Sequence, residues 1–497
     1  MNKTWYSLIK NKIGYTCVVY VLILLTYRYL SLFFPFYESV YKVYGSYISA
    51  VTVGSGCAIV LFEVSTNRSF LKKKHSLWLM IVYVACIVSS LFYYREVLLT
   101  ENIKSIVWMS IQLFLIYTAS MGIEEELLKK IAKKFYLCAS VYLIILIFYS
   151  FQMAWSLVDE VLILKDGIIV RLGFDEGRLF GIFSHLPQTA TVIGVHLLAS
   201  IYYFVTDHGC MMRVFHGLFF VVFFLYEVMA GARAVLLALI VLTAAITVLL
   251  VKKNCERASI PVLIFSGLFA GIACYILWTG THGIFTSVLK THMKNEGLEF
   301  HTTVFARDDA SKEDFQIATE KAENNNQSLE RPDASMNNVS NNRFAIWKDY
   351  AHVLFSSPKY VLFGFSINQY GRIIQKEFPD IYIVQKIKRD SPTSFAAGNV
   401  YNTHNGFLHM FVSGGIFAFI ALICYVFFCL NDVLLYLSKK KIIPLVLLLV
   451  SVVSFLLICE MFDDFIFAIE TIISSLFWFF SGWLTHKLQK EENEKLD

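Results

Sequence analysis

Charge is scarce in this chain. Only 16% of its 497 residues are Asp, Glu, Lys or Arg, and 57% are hydrophobic, giving a mean hydropathy of +0.59. Soluble domains carry about 25% charged residues, so a soluble globular protein is excluded. The two-residue alternation of a membrane β-barrel is also missing, which leaves an all-α, polytopic integral membrane protein. Cysteine is absent between Trp278 and Tyr401, so no disulfide framework is expected there, and no CxxC pair points to a metal. There is no DxD motif, no glycine-rich phosphate loop and no internal repeat. The first apolar run is long enough to span a bilayer and lacks a small-residue cleavage site, so no cleavable signal peptide is expected.

What is present is a succession of apolar runs, each about 20 residues long, the length that crosses a bilayer as a helix. Twelve spans are expected, near 14–35, 43–63, 76–95, 103–121, 133–156, 186–206, 211–229, 232–251, 259–279, 405–429, 441–459 and 465–484. The formal net charge of +5 resembles a nucleic-acid signal until the charges are placed. Lys72–Lys74, Lys129, Lys130, Lys133, Lys134, Lys252, Lys253 and Lys439–Lys441 all fall in alternate loops. The positive-inside rule makes those loops cytoplasmic, with both termini, and removes the case for a nucleic-acid partner. Three regions follow: about nine spans over 1–279, a large extracytoplasmic loop over 280–403, and about three spans over 404–497.

Two segments are expected outside. The first runs from about Ser156 to His185. The second, from Thr279 to Thr403, is far longer than a connection needs. Its stretch Glu320–Asn342 is too polar to bury a core and is expected to be mobile. Near 343–356 the pattern becomes that of an amphipathic helix, closed by Ser357-Pro358. That helix either lies flat on the membrane or caps the bundle.

Four residues of chemical interest share the predicted outer face. Arg178 lies in the first outer loop, Arg233 in a short hairpin between two spans, and Arg343 at the start of the amphipathic helix. His404 opens a span directly after the long loop, with Asn405 beside it. Guanidinium forks suit a diphosphate because they bind bidentately and never deprotonate. Histidine suits removal of a proton from an alcohol at neutral pH. The plain alternatives are arginines that contact lipid phosphates, and a His404-Asn405 pair that caps a helix. His185, His352 and His409 read as structural. Glu460, Asp463 and Asp464 precede the last span and supply a choice of carboxylates to orient His404.

His404-Asn405 followed, after nine intervening residues, by Gly415 resembles the signature of the O-antigen ligase and polymerase superfamily. Arg178 to Phe183 with Pro187-Gln188, the turn Gly231-Ala232-Arg233-Ala234, and Arg343 to Trp347 with Pro358 and Phe363-Gly364 are similar to further segments of that family. The resemblance covers roughly residues 170–430. Ala232 stands where serine is common, and Gly364-Phe365-Ser366 replaces an expected Gly-x-Gly.

The resemblance implies a membrane glycosyltransferase of the polymerase type, on the outer side of the bacterial cytoplasmic membrane. It would join polyprenyl-diphosphate-linked oligosaccharide repeats into O-antigen or capsule, without metal or other cofactor. His404 would activate the acceptor hydroxyl, while Arg178, Arg233 and Arg343 hold the diphosphate and Asn405 orients His404 or a sugar. Membrane lipids and a chain-length regulator protein are the implied partners. A ligase that transfers glycan to lipid A-core is the alternative. A lipid-linked oligosaccharide flippase is disfavoured by spans that are nearly free of charge at mid-depth.

Overall fold

The computed structural model describes residues 3–66, 68–163, 169–175, 177–255, 259–296, 301–306, 316, 319, 342–439, 443–467 and 471–493. The polar tract expected to be mobile lies, apart from Asn342, outside these residues, as do Lys440 and Lys441. The long helices are α1 (Lys3–Leu30), α2 (Lys42–Thr66), α3 (Ser76–Phe92), α4 (Leu99–Ile111) and α5 (Glu125–Trp155). They continue with α6 (Leu186–Thr206), α7 (Cys210–Ala230), α8 (Arg233–Asn254) and α9 (Ile260–Glu296). Each expected span falls on a helix. Among the described residues, eight helical stretches are long and apolar enough to cross a membrane, and Gly14–Leu30, Ser76–Phe92 and Pro444–Glu460 are shorter apolar helices. The cause is plain: a backbone without water must satisfy its own hydrogen bonds, and a helix does so within one segment.

Helix α9 runs on past the end expected for its span near 279, as far as Glu296. Leu289 is buried on this extension, and Phe285 tilts against Phe174 at 6.3 Å between ring centres.

That second ring belongs to a four-stranded sheet, formed where loop was expected. Strands β1 (Val158–Ile163), β2 (Ile169–Asp175), β3 (Arg178–Gly181) and β4 (His301–Ala306) pair in the order β3-β2-β1-β4. β1 and β2 are antiparallel, while β4 joins β1 in parallel from far along the chain. Gly173, at φ +84, sits at a register shift between β2 and β3, and a side chain there would collide with the carbonyl of Val158.

The large loop contributes α10 (Arg343–Phe355), α11 (Pro358–Phe363), α12 (Tyr370–Glu377) and α13 (Tyr382–Asp390). Of the two placements open for the amphipathic helix, α10 takes the capping one. Ile346, Tyr350, Val353 and Leu354 are buried in a core shared with Phe365, Phe411 and Val412. The last three long helices are α14 (Gly406–Lys439), α15 (Pro444–Glu460) and α16 (Ile472–Asn493).

Helix α14 is broken at Gly415, where φ 71 and ψ −169 are open to glycine alone. The break receives the chain that follows α11: the Phe365 N–H donates to the Val412 carbonyl at 2.6 Å. Gly364, at φ +66, makes that approach possible, since a side chain there would collide with the same carbonyl. Helices α8 and α14 run from the end where this docking occurs to the end that holds the basic loops. At the basic end Lys74 pairs with Asp432 (2.9 Å) and Lys487 with Glu125 (3.0 Å).

Candidate functional site

The expected site residues meet at the end of the bundle opposite the basic loops, each brought there by a helix end or turn. α7 ends at Gly231, whose left-handed φ of +59 turns the chain sharply, and its N–H caps the helix on the Glu227 and Val228 carbonyls. α8 then starts at once, so Arg233 occupies its first turn, half-buried. Arg178, at the start of β3, donates from Nε to the Ala230 carbonyl at 3.1 Å and lies over the Phe180 ring. This places it against the Gly231 turn.

A carboxylate joins the other two. Asp463 accepts from the Arg343 Nη2 at 3.2 Å, and the same oxygen lies 3.9 Å from the His404 Nδ1, an electrostatic approach beyond hydrogen-bond length. Arg343 is near enough to Arg233 for their like charges to act on each other. Arg233, Arg343, Asp463 and His404 therefore form one polar cluster, which Arg178 flanks at the Gly231 turn.

Main-chain anchoring fixes this arrangement. The Trp347 indole donates to the Thr403 carbonyl at 2.9 Å, and the Tyr350 hydroxyl to the Tyr401 carbonyl at 2.6 Å. α10 thus carries Arg343 and holds the segment before His404, which sits in the left-handed region at φ 46. On the other side the buried Glu460 accepts main-chain N–H groups of Phe465 and Ile466, at 2.9 and 3.0 Å. The loop wraps around that carboxyl and presents Asp463 and Asp464. Gly406 is required beside it, since a side chain there would collide with Glu460.

Asn405 takes the capping role. Its Oδ1 accepts the Leu408 N–H at 2.9 Å, and its Nδ2 donates to the Met461 carbonyl at 3.0 Å. The carboxamide joins α14 to the Asp463 loop, so neither contact is to His404. His409 faces Asp464 at 3.8 Å from within α14.

Two features escaped the sequence reading. Three carboxylates near the last span were equally eligible to orient His404; only the fold separates Asp463 at the histidine from Glu460 as a loop anchor. His185, read as structural, lies at the same site. Its ring stands edge-on to Phe465 at 5.5 Å and interacts electrostatically with Asp463, Asp464 and His404. Crowding by the surrounding protein lowers its pKa from the ordinary 6.5. Asp463 and Asp464 oppose that shift, and His404 adds to it.

A cluster of guanidinium groups beside an imidazole suits an anionic leaving group and a hydroxyl nucleophile. Residues 218–423 match the family model described as O-antigen ligase. The matched stretch contains Arg233, Arg343, His404, Asn405 and Gly415, while Arg178, His185 and Asp463 lie outside it. No curated protein matches the chain.

Proposed function

Because this chain belongs to the O-antigen ligase/polymerase superfamily, we propose that it polymerises polyprenyl-diphosphate-linked oligosaccharide repeats into surface polysaccharide. The reaction takes place on the outer side of the bacterial cytoplasmic membrane, with the basic loops and both termini inside. The observation that carries this reading is the meeting of Arg343 and His404 at Asp463, with Arg233 beside Arg343, at the end away from the basic loops.

In the proposed reaction, an acceptor sugar hydroxyl attacks the anomeric carbon of the donor. His404 takes the hydroxyl proton, and Asp463 stabilises the imidazolium that forms. The anomeric carbon–oxygen bond breaks, and its electron pair passes to the diphosphate. Arg178, Arg233 and Arg343 neutralise that developing charge, so the reaction is assigned no metal. Asn405 acts at one remove, by fixing the start of α14 to the loop that carries Asp463.

Polymerisation is preferred because the centre of the chain keeps the family pattern while its flanks depart from it, as suits enzymes adapted to different repeat units. A second reading is favoured by the description of the matched family model: transfer of finished glycan to lipid A-core. The glycan ladder of a deletion strain separates them. Loss of a polymerase leaves acceptors with one repeat, whereas loss of a ligase strands polymer on its lipid carrier. Complementation with His404→Ala should fail to restore the ladder. A well-expressed His404→Ala protein that restores it overturns the assignment of the base.

A further inference from the structure

We infer that His185 is a second histidine of this site, donating an Nε2–H hydrogen bond to the diphosphate oxygen that departs. The inference rests on the glycosyl-transfer reading above.

The ring's proton is placed by its own hydrogen bond. His185 is the N-cap of α6, and its Nδ1 accepts the Gln188 main-chain N–H at 3.3 Å. A main-chain N–H only donates, so Nδ1 carries the lone pair and the proton of the neutral ring is on Nε2. Nε2 is the ring nitrogen not engaged by the helix, and the residue is exposed.

The charged groups that face the ring come from two other elements. Asp463 and Asp464 face it from the loop after α15, and His404 from the segment before α14. His404 turns its Nδ1 toward Asp463, which leaves its Nε2 for a substrate hydroxyl. In the proposed reaction His404 presents a lone pair to the acceptor, and His185, which interacts with the same carboxylate, presents a proton. His185 also lies on the segment that starts with Arg178, so the same stretch of chain carries a guanidinium and an N–H donor.

The chemistry limits what His185 does. Its lowered pKa keeps the ring neutral at neutral pH, and a neutral imidazole does not surrender its remaining proton. The acceptor proton goes to His404 and the electron pair goes to the diphosphate oxygen. His185 keeps its proton throughout and strengthens its hydrogen bond as negative charge develops.

Purified protein supplied with repeat-unit lipid extracted from the deletion strain tests this. His185→Asn preserves a good N-cap but removes the ring N–H. The expected result is an unchanged Tm, an unchanged KM for the acceptor and a kcat lowered about 100-fold, the scale for loss of one donor to a developing oxyanion. A variant with full kcat makes His185 a cap alone and overturns the inference. A variant that loses Tm assigns the ring to packing and also overturns it. His404→Ala is assayed in parallel. If it is active, the glycosyl-transfer reading falls; if it is inactive beside a fully active His185→Asn, only the role of His185 falls.

Discussion

At the scale of single residues, the site depends on how one carboxylate is shared. Asp463 is nearly buried and meets Arg343 at 3.2 Å and His404 at 3.9 Å through the same oxygen. Replacing it with Asn removes the charge that holds Arg343 and leaves a largely buried guanidinium without that counter-ion. In the proposed reaction it also removes the group that stabilises protonated His404. The comparable change in a serine-protease triad costs about 10⁴-fold, with a direct hydrogen bond to the histidine. The contact here is longer, so Asp463→Asn should lower turnover by about 100-fold with expression retained; wild-type transfer rates would remove Asp463 from the mechanism. Arginine at a tight turn and histidine at a span entrance are uncommon choices, so Arg233, Arg343 and His404 stood out in the sequence as candidates. Asp463 was not, because Glu460, Asp463 and Asp464 lie within five residues and differ only in which way the loop points them.

At the scale of elements, the bilayer makes helices easy to read and the outer region hard. Apolar length alone located the long helices. The sheet was missed because its strands are short, and β4 pairs with β1 across 137 intervening residues, from Ile163 to His301. Local alternation gives no hint of such a partner. The break in α14 was half legible. Gly415 belonged to a recognisable pattern, but its reason is the insertion of the 362–365 chain, which no span prediction contains. Gly415→Ala forces a side chain into a left-handed backbone and against the Leu362 carbonyl. It should cost about 2–4 kcal/mol, read as a lowered Tm in detergent. Gly280→Ala is the control: it lies in α9 with open space around it, where alanine favours the helix. Equal Tm values for the two variants would show that the break is not needed for stability.

At the scale of the whole molecule, the two ends are built differently. One end joins its site through arms from distant parts of the chain, and the other is tied together by lysines. Lys73 is the most buried of these: its Nζ donates to the Gly482 carbonyl in α16 and lies 5.0 Å from the centre of the Tyr117 ring. Burial pushes its pKa down from 10.5 to about 7. In the unfolded chain the same lysine keeps its proton to about pH 10.5. Between these values the unfolded state binds more protons than the folded one, so stability rises with pH. Below about 7 both states are protonated and the slope from this residue vanishes. Tm in detergent at constant salt should therefore climb between pH 7 and 9.5, and Lys73→Met, which keeps the stem and removes the titrating group, should flatten that climb. An equally steep rise in Lys73→Met would mean that other groups set it and that Lys73 holds its charge when folded.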